Sequence, residues 1–241
     1  MYEISCPIPF SRTGADGRLK LSDAVGMMMD CCQFQEYQEK AFGEFLRNNK
    51  IAIFLTSIQI DILRFPGVRE NVRTAVKIYG CKSIYGLRRL TMHTDSGELC
   101  MIANATGAFF DLNAGKAVKL DPAVFQVAFD EAEPMECLPR KIPAPVAEKI
   151  QCPSLRVTPS LLDYNGHLTS AAYFATASDV LPDDFAYNRV RVEYKMQAKA
   201  GDIIQPELYL SGGKAVVDLK NKENVSFALA EFSRADILSH L

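Results

Sequence analysis

An aspartate, an asparagine and a histidine stand at alternate positions in one short stretch of the chain. They are Asp163, Asn165 and His167, and an apolar segment typical of a helix begins at about residue 169. The first-turn amides of a helix lack partners within the helix and carry partial positive charge, so they stabilise an oxygen atom that gains negative charge. The combination indicates a site that polarises a carbonyl group.

A purely structural role explains the same residues. Asp and Asn cap helices, Asn-Gly forms turns, and a single histidine often only satisfies a hydrogen bond. Of the three histidines, His93, His167 and His240, only His167 has both a carboxylate and an amide within four residues. The stretch is therefore a catalytic candidate, with a helix-capping turn as the alternative.

Strand and helix patterns surround this stretch in a regular order. A strand is expected at residues 155–158, before the turn, and the helix is expected to run to about residue 180. Further strands are predicted near residues 187–198, 202–210, 215–219 and 225–232. The second half of the chain therefore reads as a strand, a helix and four more strands.

The first half repeats that order on a larger scale. A strand within residues 2–10 precedes a helix that is predicted from Ser22, as its N-cap, to about Arg47. From Ile51 the apolar period becomes two, which predicts strands with one buried face. They are expected around residues 51–62, 72–78, 84–93 and 99–112.

Two alignments support an internal duplication. The stretch 16–19 lies over 165–168 at an offset of 149 (165 minus 16), and 60–62 lies over 192–194 at an offset of 132 (192 minus 60). A shorter second helix explains the difference. In this alignment Arg18 takes the place of His167, so only the second copy carries the polar trio.

Five prolines mark a change of character between the halves. Because prolines resist both helices and strand ladders, residues 131–153 are predicted to be a linker across the surface. This divides the chain into an N-terminal domain, 1–130, and a C-terminal domain, 154–241. A long functional loop within one domain is the alternative.

Composition excludes several classes of protein. The formal net charge is −2, which gives no basic field for nucleic acid. The start of the chain does not resemble a secretion signal, and no stretch is long enough to span a bilayer, so a cytoplasmic protein is expected. The seven cysteines form no Cys-x-x-Cys pair or metal-ligand spacing, so no metal is expected.

With a long helix before a set of strands in each half, the chain resembles the acyl-acyl carrier protein thioesterases of plants and bacteria. Its Asp163–Leu168 stretch, followed by Tyr173, is similar to the family motif Asp-x-Asn-x-His-Val with its downstream aromatic residue. Residues 62–66 are similar to the family's strand that ends in Arg-aromatic-Pro. The resemblance implies an α+β fold of two tandem hot-dog domains, in each of which a curved antiparallel sheet wraps around a long helix.

The resemblance also implies an activity. The family hydrolyses the thioester between a fatty acyl chain and the phosphopantetheine arm of acyl carrier protein, without a cofactor, and its catalysis lies in the C-terminal repeat. Asp163, Asn165 and His167 are then catalytic candidates. Where the family carries Glu-Cys, this chain has Gln197 and Ala198, so there is no cysteine nucleophile and direct attack by water is expected.

By this hypothesis Asn165 and helix amides polarise the thioester carbonyl. Asp163 orients the imidazole of His167, and His167 with Gln197 positions the water; whether His167 is itself the base is left open. Gln197 has a second interpretation, because the strand pattern places it with the charged surface residues.

The resemblance places the acyl chain in the N-terminal repeat. Candidates for its lining are Met27, Met28, Phe34, Phe54 and Ile60, because methionine and aromatic side chains adapt to a flexible chain. Ordinary core packing explains each of them equally well.

Basic residues near the proposed site, Arg189, Arg191, Lys195 and Lys199, are candidates for contact with the acidic carrier protein, or else are solvated strand charges. Two further functions stay open: a hot-dog thioesterase or dehydratase acting on coenzyme A esters, and an acyl-binding protein with weak activity. The oligomeric state is also open, with a homodimer among the alternatives.

Overall fold

The structure of the protein is a computed structural model that describes residues 1–121, 123 and 129–240. The helices are α1 (Leu21–Gln38), α2 (Lys40–Asn48) and α3 (Ser170–Ser178). The strands are β1 (Tyr2–Pro7), β2 (Ile51–Ile62), β3 (Asn71–Lys82), β4 (Tyr85–Thr94), β5 (Leu99–Asp111), β6 (Lys116–Ala117), β7 (Lys149–Gln151), β8 (Leu155–Arg156), β9 (Arg189–Tyr194), β10 (Ile203–Ser211), β11 (Lys214–Lys220) and β12 (Ser226–Ser233). In the part of the chain that the structure describes, no helix is long and apolar enough to cross a membrane.

The first helix differs from its prediction. The sequence predicts one helix over residues 22–47 with Ser22 as its N-cap, but α1 begins one residue before Ser22 and a break at Glu39 separates it from α2. Gly43 permits this break. A Cβ atom on Gly43 would lie 2.5 Å from the carbonyl oxygen of Glu36, so α2 packs against the last turns of α1 at a distance that only glycine allows.

The strands form one antiparallel sheet in the order β1-β3-β4-β5-β2-β9-β12-β11-β10-β7, with β6 beside β5 and β8 beside β10. Strands β2 and β9 pair from Ser57–Glu193 to Asp61–Arg189 and join the two halves. We call this pairing the seam. On one side of the seam, apolar side chains of both strands share a core with α1 and α3. The predicted double hot-dog fold is confirmed.

Two matching loops confirm the internal repeat. Residues 10–20 and 159–169 each contain a 3-10 turn and then a tight turn with a glycine in the left-handed region, and a helix begins at the residue that follows each range. The φ angle is 72° at Gly17 and 76° at Gly166. Each glycine adopts this conformation without a steric cost.

The second predicted offset is confirmed by the hydrogen bonds that anchor these loops. The amide of Leu19 donates to the carbonyl of Pro66 at 2.8 Å, and the amide of Leu168 donates to the carbonyl of Ala198 at 2.9 Å. The acceptors are 132 residues apart (198 minus 66), the offset that the sequence predicts for the following strands. Both halves therefore fix the loop before the helix in the same way.

Residues 131–148, which we call the strap, form no helix or strand and cross the polar side of the seam. The side chain of Gln59 donates to the carbonyl of Glu136 at 2.7 Å and accepts from the amide of Leu138 at 3.0 Å. Farther along, the amide of Ile142 donates to the Glu193 carboxylate at 2.9 Å. The strap thus supplies the partners that buried polar groups on this face need.

The end of the predicted linker is not irregular. Lys149–Gln151 form β7 and pair with β10, from Glu207–Gln151 to Tyr209–Lys149. The prediction that residues 131–153 resist a strand ladder is wrong here, because no proline lies between Pro145 and Pro153 and these three residues have free backbone amides.

The seam depends on a buried ion pair. Nε and Nη2 of Arg189 each donate to the Asp61 carboxylate at 2.6 Å, and the two side chains are 4% and 2% exposed. We expect Asp61→Asn to lower the free energy of unfolding by up to about 3–5 kcal/mol, because the buried guanidinium then keeps only the partly exposed Glu136 carboxylate as its counter-charge. Urea denaturation measures this.

The control is Glu3→Gln, which removes an exposed pair with Arg73 at 3.7 Å. It should cost less than about 1 kcal/mol. Equal effects of the two substitutions would contradict the importance of the seam pair.

Candidate active site

The loop that carries the polar trio is closed by a carboxylate. Oδ1 of Asp163 accepts from the amides of Asn165, at 2.8 Å, and His167, at 3.1 Å. The carboxylate therefore shapes the loop through its backbone. The predicted contact between the Asp163 carboxylate and the imidazole is absent. Among the described residues, no side chain hydrogen-bonds to either ring nitrogen of His167. The ring instead meets the ring of Phe54 edge-on, with centroids 6.3 Å apart.

The loop leads directly into α3. Oγ1 of Thr169 accepts from the amide of Ala172 at 3.2 Å and caps the helix. The amides of Ser170 and Ala171, in the first turn, have no partner within the helix. An electron-rich oxygen atom placed beside His167 would be stabilised by this end of α3. The side of α1 at Gly26 lies next to it, since a Cβ on Gly26 would be 3.9 Å from that of Ala171.

A buried tyrosine ties the next segment to α3. The hydroxyl of Tyr173 accepts from the amide of Ala198 at 3.0 Å and donates to the carbonyl of Met196 at 3.3 Å. Burial raises the pKa of Tyr173 to about 12, so the group stays a neutral donor. The sequence offers Tyr173 only as a motif residue. Its tethering role depends on the carbonyl of Met196 and the amide of Ala198, which are more than 20 residues away in the chain. No local sequence pattern indicates this role.

Gln197 lies on this tethered segment, beyond the end of β9 at Tyr194. The strand pattern therefore does not set its direction. Its side chain is exposed and lines a polar cleft of about 300 Å³. The other residues of the cleft are Met196, Gly201, Asp202, Ile203, Asn221, Lys222, Glu223 and Phe227. None of them belongs to the 163–167 loop, and among the described residues Gln197 makes no hydrogen bond to the imidazole.

A mostly apolar cavity of about 100 Å³ lies in the first repeat. Its lining comes from α1, α2 and strands β2 to β5: Met29, Cys32, Gln33, Glu36, Phe42, Ile53, Leu55, Ile78, Gly86, Leu87, Arg88, Ala105, Gly107 and Phe109. The cavity also contains charge, because Nη2 of Arg88 donates to the Glu36 carboxylate at 2.7 Å.

The five residues predicted to line an acyl pocket do not line this cavity. Met27, Met28 and Ile60 are buried in the core, Phe34 is 49% exposed, and Phe54 contacts His167. The face of α1 that lines the cavity carries Met29, Cys32, Gln33 and Glu36. It begins one residue after Met28, which the sequence predicted to line the pocket. Apolar residues run around most of α1, so the sequence does not distinguish its core face from its cavity face.

Contacts between the repeats link the cavity to the loop. The hydroxyl of Tyr164 donates to Oε1 of Gln33 at 3.1 Å, and Gln33 is part of the cavity lining. Phe54, against the His167 ring, lies between two lining residues of β2, Ile53 and Leu55, and therefore points to the opposite face of the sheet from them. The Tyr164–Gln33 hydrogen bond is thus the contact that joins the loop of the second repeat to the cavity wall of the first.

Two of the predicted carrier-protein contacts are wrong. Arg189 and Arg191 are buried on the polar side of the seam, where they pair with Asp61 and Glu231. Lys195 and Lys199 are exposed and flank the tethered segment. Within residues 1–121, 123 and 129–240, no three His, Cys, Asp or Glu side chains form a group that could hold a metal ion.

Fold and site together define a double hot-dog protein with one polar loop, in its second repeat. The family model for the acyl-ACP thioesterase N-terminal domain matches residues 1–127, which is more than half of the chain. The chain belongs to the acyl-ACP thioesterase family. The comparison with curated protein sequences gave no match.

Solved structures show the same fold over nearly the whole chain. An acyl-ACP thioesterase from Bacteroides thetaiotaomicron superposes with a TM-score of 0.84 at 19% identity, over 96% of each chain. The 12:0-ACP thioesterase from Umbellularia californica gives a TM-score of 0.78 at 13% identity, also over 96% of each chain.

The tether predicts a stability effect. Tyr173→Phe removes both hydrogen bonds and leaves the buried amide of Ala198 without a partner, so the free energy of unfolding should fall by about 1–3 kcal/mol. Urea denaturation measures this, and hydrogen exchange should be faster at Ala198. Tyr164→Phe, which removes one exposed hydrogen bond to Gln33, is the control and should change stability by less than about 0.5 kcal/mol. An unchanged exchange rate at Ala198 would contradict the tether.

Proposed function

We propose that the protein hydrolyses the thioester between a fatty acyl chain and the phosphopantetheine arm of acyl carrier protein and releases the free fatty acid. Membership of the acyl-ACP thioesterase family supports the substrate class. One observation carries the proposal for this chain: Tyr164, in the loop with Asn165 and His167, hydrogen-bonds to Gln33 in the wall of an apolar cavity in the other repeat. In this arrangement the thioester carbon binds at the loop and the acyl chain binds in the adjacent cavity.

The cavity is the proposed binding site for the acyl chain. Its apolar lining removes methylene groups from water, at about 0.8 kcal/mol for each group buried. The Arg88–Glu36 pair is a part of the wall that a hydrocarbon chain does not favour, because contact with it would cost these charges their hydration. This pair and the apolar side chains together set the chain length that fits.

The carbonyl end of the substrate lies at the N-terminus of α3. The amides of Ser170 and Ala171, with the side-chain amide of Asn165, donate to the carbonyl oxygen as it becomes negative. Asp163 holds the loop in the required shape through the amides of Asn165 and His167.

His167 is the proposed general base. Its imidazole removes a proton from a water molecule as the water oxygen attacks the thioester carbon, and the proton then passes to the sulfur atom when the carbon–sulfur bond breaks. No acyl-enzyme is formed, because Ala198 is buried and offers no nucleophile. Gln197 lines a separate cleft that includes no residue of the 163–167 loop, and we assign it no proton transfer, since an amide does not titrate.

Acyl carrier protein is the proposed partner. Lys199 is exposed and forms a backbone bridge with His167, and Lys195 is exposed at the other end of the tethered segment. Both offer positive charge to an acidic carrier. The release of free fatty acid from a carrier protein places the reaction at the end of fatty acid synthesis.

The first test separates chemistry from fold. We expect His167→Ala to lower kcat for acyl carrier protein thioesters by about 10²–10⁴-fold, because the general base is lost. Arg18→Ala is the matched control, since Arg18 occupies the same backbone position in the first repeat, and it should change kcat by less than about twofold. Release of the free thiol measures both. Equal activity in the two variants would reject His167 as the base.

The second test concerns the cavity. Met29→Phe places a rigid ring in the lining, so kcat/KM for the longest accepted acyl chain should fall about tenfold relative to shorter chains. Phe34→Leu is the control, because Phe34 is on the same helix but outside the cavity, and its chain-length profile should match the wild type. A panel of acyl carrier proteins with different chains measures this. An unchanged profile for Met29→Phe would place the acyl chain elsewhere.

The same panel, extended with the corresponding coenzyme A esters, decides between the remaining functions. Faster turnover of coenzyme A esters than of carrier-linked esters would favour an acyl-CoA thioesterase. Tight retention of acyl chains with slow turnover, unaffected by His167→Ala, would favour an acyl-binding protein.

A further inference from the structure

Arg89 on β4 is a buried cation whose hydrogen bonds are largely unmade. The residue is 5% exposed, and its Nε and Nη1 atoms have no hydrogen-bond partner among the described residues. The guanidinium lies over the ring of Tyr79, 5.5 Å from its centroid. Its remaining nitrogen, Nη2, donates to Sγ of Cys137 at 3.6 Å. A buried guanidinium with free donors favours a negatively charged neighbour.

Cys137 on the strap is the only exposed residue among the seven cysteines. Its position is fixed from both sides, because Gln59 accepts from the amide of Leu138 and donates to the carbonyl of Glu136. In the sheet, Arg89 pairs with Asn104 and Asn104 pairs with Gln59, so these residues form one row under the strap. The thiol is therefore held over Arg89 and remains open to solvent.

We propose that Cys137 is a site of oxidative modification, with Arg89 as the group that activates it and then binds the product. Nη2 of Arg89 donates to Sγ of Cys137, and this charged donor stabilises the negative charge of the attacking sulfur. The other cysteines are at least partly buried, and burial raises the pKa of the Cys31 thiol to about 12 and that of the Cys100 thiol to about 11. They provide unreactive comparisons within the same chain.

The oxidant is a peroxide. The thiolate sulfur of Cys137 attacks one oxygen atom of hydrogen peroxide, the oxygen–oxygen bond breaks, and hydroxide leaves. The sulfur is oxidised to sulfenic acid while the peroxide is reduced. The hydroxide takes the sulfenic proton to form water, and the resulting sulfenate accepts hydrogen bonds from the free donors of Arg89. Oxidation therefore ties the strap to β4 more firmly than the thiol does.

Alkylation rates test the activation. The intact protein is treated with iodoacetamide, and each cysteine is followed by mass spectrometry of its peptide. Cys137 should react fastest, and Arg89→Met should slow it about tenfold. Arg140→Met is the matched control, since Arg140 lies three residues away on the same strap over the ring of Tyr85, and it should change the rate by less than about twofold. Equal rates in wild type and Arg89→Met would overturn the proposal.

A second measurement needs no variant at β4. If Arg89 activates Cys137, this thiol reacts faster in the folded protein than in urea, although folding normally slows the reaction of a cysteine. A slower reaction in the folded protein would overturn the activation even if Arg89→Met fails to fold.

Treatment with peroxide tests the product. A dimedone adduct should form at Cys137 and not in Cys137→Ser, and the oxidised wild-type protein should unfold at a higher temperature than the reduced protein. Absence of the adduct, or a lower unfolding temperature after oxidation, would overturn the role of Arg89 in binding the sulfenate.

Discussion

The pairing of β2 with β9 is the constraint on which the rest of the structure depends. It joins two half-sheets into one, and it places the apolar side chains of both strands against α1 and α3. The opposite side of the same strands carries buried charge, including the Asp61–Arg189 pair. Buried charges of this kind are tolerated only with partners in good geometry, so the seam specifies one register between the repeats. That register brings the loop at His167 to the cavity of the first repeat.

The two repeats show how one backbone supports two different roles. The loops before α1 and α3 have the same hydrogen bonds and the same left-handed glycine. Their side chains differ where chemistry is needed: Gly14 and Arg18 occupy the positions of Asp163 and His167. The first copy keeps the shape and contributes a cavity beside its helix, while the second copy contributes the polar loop. The candidate site therefore needs both copies, although only one carries its reactive groups.

The strap covers the side of the seam that faces away from the helices. A sheet with helices on one side leaves its other side exposed, and here that side contains charged and polar residues at the centre of the sheet. Residues 131–148 cover it with backbone groups that hydrogen-bond to Gln59, Arg191 and Glu193. Proline suits this segment, since it fixes an extended chain without adding amides that need partners. Coverage is incomplete at Arg89, where Nε and Nη1 of the buried guanidinium have no hydrogen-bond partner among the described residues and Nη2 donates to the thiol of Cys137.

The sequence by itself determined the order of the long strands around the main helix of each repeat, the duplication with both offsets, and the loop at Asp163–His167, because each is a local pattern of apolar period, glycine and turn residues. Tertiary structure decided the rest. The cavity face of α1, the tether from Tyr173 and the burial of Arg189 depend on which segments lie against these residues. An apolar residue has the same local sequence pattern in the core and in a cavity wall, and a charged residue has the same pattern in a buried ion pair and on the surface. Only the packing of distant segments distinguishes these environments.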